Sequence, residues 1–327
     1  MKIKFAVVAV VISITALSAW SADGPAISTS APASTKPTAS TQPTSGTKPA
    51  SILYPGSASG ALTHAKAVDL PEGVLLRCGE LCLTKKELSQ EISKASVEMQ
   101  GQLKKNKFFL LENMATGKLL LLAAKADAAK AGKDISGKSD QELIKSYMAG
   151  VVADVKVTDQ EVAEFYQNNQ DVCGGAKLEQ VRAQIEPYLI QQRQQELVSK
   201  QIATLGKQMT IEISAPWTRD QVILAQDNVV DRARLSGKPS LIDFGSKGCR
   251  PCDMLAPILE TLKKKYEGQA NVLFVSVTQE QILAARHGIE TIPVQVFFDK
   301  DGREVFRHTG FWPQAELEKQ MAKLGVK

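Results

Sequence analysis

Residues 238–327 alternate short apolar runs with stretches of helical periodicity. Four runs have the length and the β-branched or aromatic content of strands, and helical stretches separate or follow them. In chain order these are a strand over 241–245, a helix over 253–265, a strand over 271–277, a helix opening at 278, strands over 294–298 and 304–308, and a helix over 313–323. This order predicts a compact domain of the mixed α/β class.

Residues 67–214 show mainly the 3.6-residue period of amphipathic helices. Between 87 and 130 Ala, Leu, Lys and Gln dominate, and Gly117 predicts where two helices divide. A later apolar set at helical spacing comprises Leu143, Ile144, Tyr147, Met148, Val151, Val152 and Val155. After Leu178 a Gln-rich stretch continues the pattern, and Pro187 predicts a kink in that helix or its true start.

Capping boxes mark the starts of three helices. A Ser or Thr is followed three residues later by Glu at Thr84/Glu87, Ser139/Glu142 and Thr158/Glu161. Before the first box, residues 74–83 form a β-like run broken by a turn at 79–80, and the alternating segment 210–214 can pair with that run. These features predict a largely helical body with a short β pair.

The N-terminal 66 residues show neither pattern. Lys2 and Lys4 precede an apolar run over 5–20 and two small residues, which is the order of a secretory signal peptide. The run is shorter than the roughly 20 residues that cross a bilayer as a helix, which favours a cleaved signal over 1–22 against a retained membrane anchor. Residues 23–66 are rich in Ser, Thr, Pro and Ala and have little to bury, so they predict a disordered linker. We therefore expect an exported, periplasmic protein.

Net charge argues against one class of partner. The 327 residues carry a formal charge of +5, of which +4 falls in residues 1–66. The rest of the chain is nearly neutral, so no basic surface for nucleic acid is expected. Five cysteines are too few for a disulfide-built scaffold, and their individual spacing carries the information.

Cys78 and Cys82 flank the predicted turn. In an exported protein they could form a structural disulfide if the turn brings their Cβ atoms within about 4 Å. A second redox pair and a soft-metal site are the alternatives, and no His or Met stands close enough to support them. We therefore predict a structural bridge and no metal. Cys173, in a Gly-Gly loop, is the odd cysteine and could be free.

The helical body resembles the scaffold of SurA-type periplasmic chaperones. The resemblance covers about 67–214 and rests on the β-turn-β run with its capped helix, the segment 157–166 and a late Gln-rich helix closing in 211–213. In parvulin-bearing members an isomerase domain lies between the last two elements, and here residues 167–177 leave no room for it. The resemblance implies an all-α body that grips extended, apolar polypeptide. A plain helical spacer or dimerisation domain is the alternative, because stripes at helical spacing are more often core.

The strongest chemical signal is a Cys-x-x-Cys pair placed where a strand meets a helix. Residues 238–327, with a leading helix near 226–235, resemble thioredoxin. The resemblance rests on five landmarks at compatible spacing, which are Asp243, the pair Cys249 and Cys252, Pro257, Pro293 and Gly310. In that family these positions are a buried acid, the redox pair, a helix kink, a cis-proline and a late strand glycine.

This resemblance implies thiol–disulfide exchange. At a helix N-terminus the thiol pKa of Cys249 would be lowered, with help from Arg250, and the thiolate would attack a substrate disulfide. Cys252, one turn later, would resolve the mixed disulfide. Asp243, buried below the pair, would accept the proton of Cys252.

Residues beside the pair would set substrate binding and redox potential. Pro293 in cis, with Ile292 before it, would present a backbone edge on which substrate pairs as an added strand. Arg250 and Pro251, between the cysteines, are predicted to tune the potential. Ile292 resembles reducing members whereas Arg250 favours oxidation, so the direction of electron flow stays open.

The chain also departs from the thioredoxin pattern. Gly248 replaces a common Trp, Gly245 replaces a second aromatic residue, and Phe274 falls where family members often carry a Lys. The missing Lys should leave Asp243 harder to ionise, and the missing aromatics predict a more open, less apolar rim. His308, on the fourth strand, is expected to face solvent.

Together these features predict a multidomain, exported thiol–disulfide oxidoreductase, a reductase or isomerase that needs no cofactor. The domains would be a signal peptide (1–22), a linker (23–66), a helical polypeptide-binding module (67–214) and a thioredoxin-like domain (215–327). Its partners would be proteins with disulfides or exposed apolar segments and a separate redox partner, with self-association through the helical module as a further option. The alternative is a non-catalytic holdase or adaptor whose thioredoxin fold only docks a partner.

Overall fold

The computed structural model describes residues 28–29, 49–50, 60–168 and 176–327. The predicted signal peptide, most of the predicted linker and Cys173 lie outside these residues. Within the described ranges, no helix combines the length and the apolar character needed to cross a bilayer. The first described element is the two-residue strand β1 (Ser28–Thr29).

A first body combines a small sheet with a group of helices. The helices are α1 (Lys85–Ser93), α2 (Val97–Lys105), α3 (Lys107–Lys130), α4 (Asp140–Val151), α5 (Asp159–Asn168), α6 (Leu178–Gln208) and α7 (Ala215–Ala225). The strands are β2 (Lys66–Val68), β3 (Val74–Cys78), β4 (Leu81–Thr84) and β5 (Glu212–Ser214), in the sheet order β2-β5-β3-β4. Its main core lies between this sheet and α1, α2, α3 and α7.

The three capping boxes form as predicted. In each one the Glu carboxylate accepts from the N–H of the capping Ser or Thr, whose hydroxyl accepts from the N–H of the Glu. The predicted pairing of 210–214 is also present, since β5 runs antiparallel to β3 with Ile213 opposite Leu76. The parallel pairing of β2 with β5 was not predicted.

The helix boundaries differ from the predictions in two places. α3 continues through Gly117, and the breaks lie instead near Ser96 and Asn106. A glycine inside a helix costs only about 1 kcal/mol relative to Ala, whereas the Ser96 hydroxyl caps α2 by accepting from the N–H of Met99. α6 begins at Leu178 and includes Pro187, so this proline is not the helix start.

The two domain boundaries also shift. The linker was predicted to reach residue 66, but Leu62 and Ala65 are fully buried in the core of the first body. At the other end, α7 packs Trp217 and Val222 into the same core, so this body ends near residue 225 rather than 214. A few small or apolar side chains are enough to anchor a segment, and average composition does not detect them.

A second body is a mixed sheet with helices on both faces. Its helices are α8 (Val229–Arg234), α9 (Arg250–Lys265), α10 (Gln281–Arg286) and α11 (Gln314–Lys323), and its strands are β6 (Ser240–Gly245), β7 (Asn271–Ser276), β8 (Val294–Phe298) and β9 (Glu304–Thr309). The sheet order is β1-β9-β8-β6-β7, with β6 and β7 parallel and β8 antiparallel to β6. One core lies under α9 and α11, and the other under α8 and α10.

This sheet confirms the predicted α/β order and adds a strand from the predicted linker. Ser28 and Thr29 pair with the edge strand β9. Strand addition uses backbone groups, so side-chain composition gave no sign of it. The predicted leading helix is the shorter α8, capped by Asn228, and the helix expected to open at 278 begins at Gln281.

The two bodies are joined by direct contacts of α10 with α2. Nε2 of Gln102 donates to the carbonyl of Gln279 at 2.6 Å, and its Oε1 accepts from the N–H of Ile282 at 3.0 Å. The side chain of Ile282 is buried in the core of the first body. The amide of Gln102 therefore fixes the first turn of α10 against the helical body.

Arg286, at the other end of α10, closes the same interface. Its guanidinium donates to Oδ2 of Asp231 at 3.0 Å, to the carbonyl of Ala225 at 2.9 Å and to Oδ1 of Asn106 at 3.2 Å. Both members of the Arg286–Asp231 ion pair are largely buried. These bonds link α2, α7, α8 and α10, so the contact between the two bodies is structured rather than a loose tether.

Candidate functional site

Cys249 and Cys252 form a disulfide at the start of α9, with their Cα atoms 5.2 Å apart. Cys249 is the capping residue of the helix and is half-buried, whereas only 4% of Cys252 is exposed. Pro251 lies in the first turn, where a missing N–H is tolerated. The outer sulfur thus lies where free N–H groups and the helix dipole favour an anion.

Three chain segments meet at this end of the sheet. The parallel strands β6 and β7 both end here, and the antiparallel strand β8 begins here with Val294 opposite Phe244. The Ile292–Pro293 peptide bond is cis, as predicted, and the carbonyl of Pro293 accepts from the N–H of Gly310 at 2.8 Å. Arg250 is exposed. The topology therefore places Ile292 and Pro293 at the same end of the sheet as the disulfide.

Asp243 is fully buried in the middle of β6. Its Oδ1 accepts from Nε2 of Gln295 at 2.8 Å, and its Oδ2 has no partner among the described residues. Burial raises the pKa of Asp243 to about 6, against a smaller lowering effect of the Gln295 hydrogen bond. This agrees with the expectation that the acid is harder to ionise here.

The inner cysteine lies over the strand face from which Asp243 projects. A Cβ atom built on Gly245 would stand 3.3 Å from Sγ of Cys252. Gly245 and Asp243 are two residues apart on one strand, so they share a face at a spacing of about 6.6 Å. The absence of a side chain at Gly245 leaves room for the sulfur of Cys252 above the buried acid.

Phe274 occupies part of the space that the missing aromatic would fill. The same hypothetical Cβ on Gly245 would come within 2.9 Å of the Phe274 ring. Phe274 is directly opposite Asp243 on β7, and 48% of its side chain is exposed. The rim is therefore not simply open and polar, because an aromatic from the neighbouring strand has taken the place of one from β6.

The predicted structural disulfide between Cys78 and Cys82 is wrong, and both thiols are free. In the hairpin Cys78 is opposite Leu81, whereas Cys82 is opposite Arg77. Directly opposite residues share a face, so the two thiols point to opposite sides of the sheet. Burial raises the pKa of Cys78, while Cys82 is exposed to solvent.

The expectation for His308 is also wrong, since its side chain is completely buried. Its ring stacks on Trp312 with centroids 4.5 Å apart, under the face that carries Asp243. Burial lowers the pKa of His308 to about 4. Gln295 was not predicted as a site residue, although it is the single polar residue in the apolar run Val294–Phe298.

A mixed sheet covered on both faces, with a Cys-x-x-Cys disulfide at the first turn of a helix, defines the class of thioredoxin-like folds. A family model of the thioredoxin-like domain matches residues 226–325. The chain is 39% identical over 83 residues to thioredoxin of Staphylococcus aureus strain Mu50 / ATCC 700699, covering 25% of this chain and 79% of that protein. Thioredoxins of strains MW2 and N315 match equally.

Among solved structures, Fasciola hepatica thioredoxin matches with 31% identity and a TM-score of 0.25, covering 27% of this chain and 81% of that one. Through its second body this chain belongs to the thioredoxin family. The family match begins at residue 226, so the SurA-type classification of the helical body stays a prediction.

The position of Cys249 predicts selective alkylation of the reduced protein. Iodoacetamide at pH 6.5 should modify Cys249 before Cys252, because one sulfur caps α9 and the other is buried. Cys82, an exposed thiol on a strand, is an internal reference that should also react more slowly. Peptide mass spectrometry over time measures all three rates. Arg250→Glu should slow Cys249 alone, and equal rates at Cys249 and Cys82 would contradict the assignment.

The burial of Asp243 predicts that this side chain destabilises the fold at neutral pH. Its pKa rises from an ordinary value of about 4 to about 6, so the folded state binds more protons than the unfolded state between these values. Stability should fall as the pH rises through that window. Asp243→Asn should therefore raise the free energy of unfolding by roughly 2–3 kcal/mol at pH 7 and by little below pH 4. Urea unfolding of the oxidised protein at both pH values measures this.

The control is Asp253→Asn, which changes an exposed carboxylate in the first turn of α9. Its effect should stay below about 1 kcal/mol at either pH. A gain for Asp243→Asn that is equal at pH 4 and pH 7 would show that ionisation of the acid is not the cause.

Proposed function

We propose that this protein is a thiol–disulfide oxidoreductase that reduces or isomerises disulfides in other proteins. The observation that carries the proposal is the Cys249–Cys252 disulfide, with one sulfur at the helix terminus and the other buried above Asp243. This arrangement gives an attacking thiolate, a resolving thiol and a proton acceptor. Membership of the thioredoxin family supports the same chemistry.

Reduction of a substrate disulfide would proceed through two exchanges. The thiolate of Cys249 attacks one substrate sulfur, a protein–substrate S–S bond forms, and the departing substrate thiolate takes a proton from water. The S–H of Cys252 then gives its proton to the carboxylate of Asp243, and its sulfur attacks Sγ of Cys249. The second substrate thiolate leaves and the Cys249–Cys252 disulfide closes. Two electrons pass to the substrate, so a dithiol reductant must restore the protein.

Other residues would act around these exchanges. Arg250, exposed beside the outer sulfur, and Pro251, in the first turn, are proposed to tune the redox potential. The backbone of Ile292 and Pro293 is proposed to pair with the substrate chain near the disulfide. Phe274 and the half-exposed Met254 supply apolar surface on strand β7 and helix α9.

The helical body is proposed to hold non-native polypeptide near the redox site of an exported protein. The contact between α2 and α10 supports this, because α10 follows β7 from the sheet end that carries the disulfide. Ile144 and Met148, from the predicted apolar set at helical spacing, are buried in a separate core and not on the surface. A polypeptide-binding surface on the helical body would therefore use exposed side chains such as Val97 and Leu122.

The enzyme proposal predicts reduction of insulin disulfides in the presence of dithiothreitol. Cys249→Ser should reduce the rate to that of dithiothreitol alone, because the attacking sulfur is lost. Cys82→Ser, which removes an exposed thiol far from the redox pair in sequence, should leave the rate unchanged. The turbidity of released insulin B chain measures both. A wild-type protein without activity would favour the adaptor alternative.

The holdase proposal predicts protection that does not need thiols. The full chain carrying Cys249→Ser and Cys252→Ser should suppress aggregation of a heat-unfolded, cysteine-free client, as measured by light scattering. Val97→Ser with Leu122→Ser should weaken that protection, because these side chains are 87% and 45% exposed on the helical body. Leu235→Ser, 70% exposed on the second body, is the matched control. A full chain that protects no client would leave the helical body as a spacer or dimerisation element.

A further inference from the structure

Three polar side chains form a row across the buried face of the second sheet. Asp243 on β6 is directly opposite Gln295 on β8, and Gln295 is directly opposite His308 on β9. All three are fully buried. Directly opposite residues share a face with Cβ atoms about 5 Å apart, so the amide of Gln295 lies between the carboxyl of Asp243 and the imidazole of His308.

The hydrogen bonds along this row leave two buried acceptors without partners among the described residues. Nε2 of Gln295 donates to Oδ1 of Asp243, and Oε1 of Gln295 has no partner within the described part of the chain. Nε2 of His308 lies 3.4 Å from the carbonyl of Phe311, which can only accept, so this ring nitrogen carries the proton. Nδ1 of neutral His308 is then an acceptor, and no described residue partners this buried atom either.

Few other ionisable groups face this row. Helix α9 contributes Cys252 and apolar residues such as Leu255, helix α11 contributes Leu317 and the uncharged Gln320, and β7 contributes Phe274. The Lys265–Glu318 ion pair joins α9 to α11 and is partly exposed. Beside His308 lies the ring of Trp312. Within the described residues, the carboxyl of Asp243, the amide of Gln295 and the imidazole of His308 therefore have mainly one another as polar neighbours.

We propose that Gln295 and His308 are positioning residues that stabilise the protonated form of Asp243, and so prepare it to hold the proton of Cys252. With Asp243 ionised, Gln295 turns its amide N–H to the carboxylate and leaves Oε1 and Nδ1 unpaired. With Asp243 protonated, the amide turns over. The acid O–H then donates to Oε1, and Nε2 donates to Nδ1 of His308.

Oε1 of Gln295 and Nδ1 of His308, both unpaired in the ionised state, are then paired. The one proton transferred is that of Cys252, and His308 stays neutral throughout, in keeping with its lowered pKa. The role in proton transfer rests on the proposed thiol–disulfide chemistry. The hydrogen-bond competition within the row does not, because it exists whether or not a substrate is present.

The test is the pKa of Asp243 in the reduced full-length protein, followed by carboxyl ¹³C NMR and assigned with Asp243→Asn. His308→Phe keeps a ring against Trp312 but removes Nδ1, so the protonated state loses one hydrogen bond and the pKa should fall by about 0.5–1 unit. In the Gln295→Leu background, the same His308→Phe change should leave the pKa of Asp243 unaltered, because the amide that links the imidazole to the acid is gone. A pKa shift that requires Gln295 is the signature of the row.

The matched control is His287→Phe. His287 is a buried imidazole on the opposite face of the same sheet, between the rings of Phe244 and Phe298. This variant should leave the pKa of Asp243 unchanged. A His308→Phe shift that persists without Gln295, a rise of the pKa instead of a fall, or a similar shift in His287→Phe, would overturn the proposal.

A measurement on the wild-type protein guards against variants that fail to fold. Imidazole ¹⁵N shifts should show His308 neutral at pH 7 with its proton on Nε2, and a proton on Nδ1 would overturn the proposal.

Insulin reduction is measured in parallel over pH 5–9. If the wild type is inactive but the Gln295-dependent pKa shift appears, the row stands and the proposed function fails. If the enzyme is active without that shift, the row alone is wrong.

Discussion

Asp243 is an ionisable side chain enclosed between two neighbouring strands, and the candidate site is built around its carboxyl. Removing a carboxylate from water is costly, so burial favours the protonated form and brings the pKa close to neutrality. An acid with such a pKa can accept and release a proton under ordinary conditions. Burial of this carboxyl therefore destabilises the fold and, at the same time, gives the acid the pKa that the proposed proton transfer needs.

The surroundings of the carboxyl follow from that burial. Gly245 leaves space for Cys252 above the strand, and Phe274 covers the same region from β7. Where thioredoxins often carry a Lys, this chain has an aromatic ring that adds no charge to the site. Gln295 supplies the one hydrogen bond that the carboxyl receives from the described residues. These two departures from the family pattern, Gly245 and Phe274, therefore both change the polarity around Asp243.

The contact between the two bodies is a second constraint. Ile282 reaches the core of the helical body, and the Arg286–Asp231 ion pair is buried beside it. A buried ion pair is weak support for stability but restricts geometry, because separating the partners would leave charges without solvent. The helical body and the thioredoxin-like domain therefore share an interface with defined geometry.

The sequence alone predicted the elements of the second body and the Cys-x-x-Cys pair, because strand alternation, helical periodicity and cysteine spacing are local signals. The buried acid and the cis-proline were implied by the resemblance to thioredoxin. Residues brought together from distant parts of the chain gave no such signal. The separation of Cys78 from Cys82 depends on hairpin register, and a shift of one residue moves a side chain to the other face. The burial of His308 and its alignment with Gln295 and Asp243 depend on three strands joining in one sheet. Only the tertiary structure decides such neighbours, because cross-strand pairing is set by the packing of the whole sheet and not by any single segment.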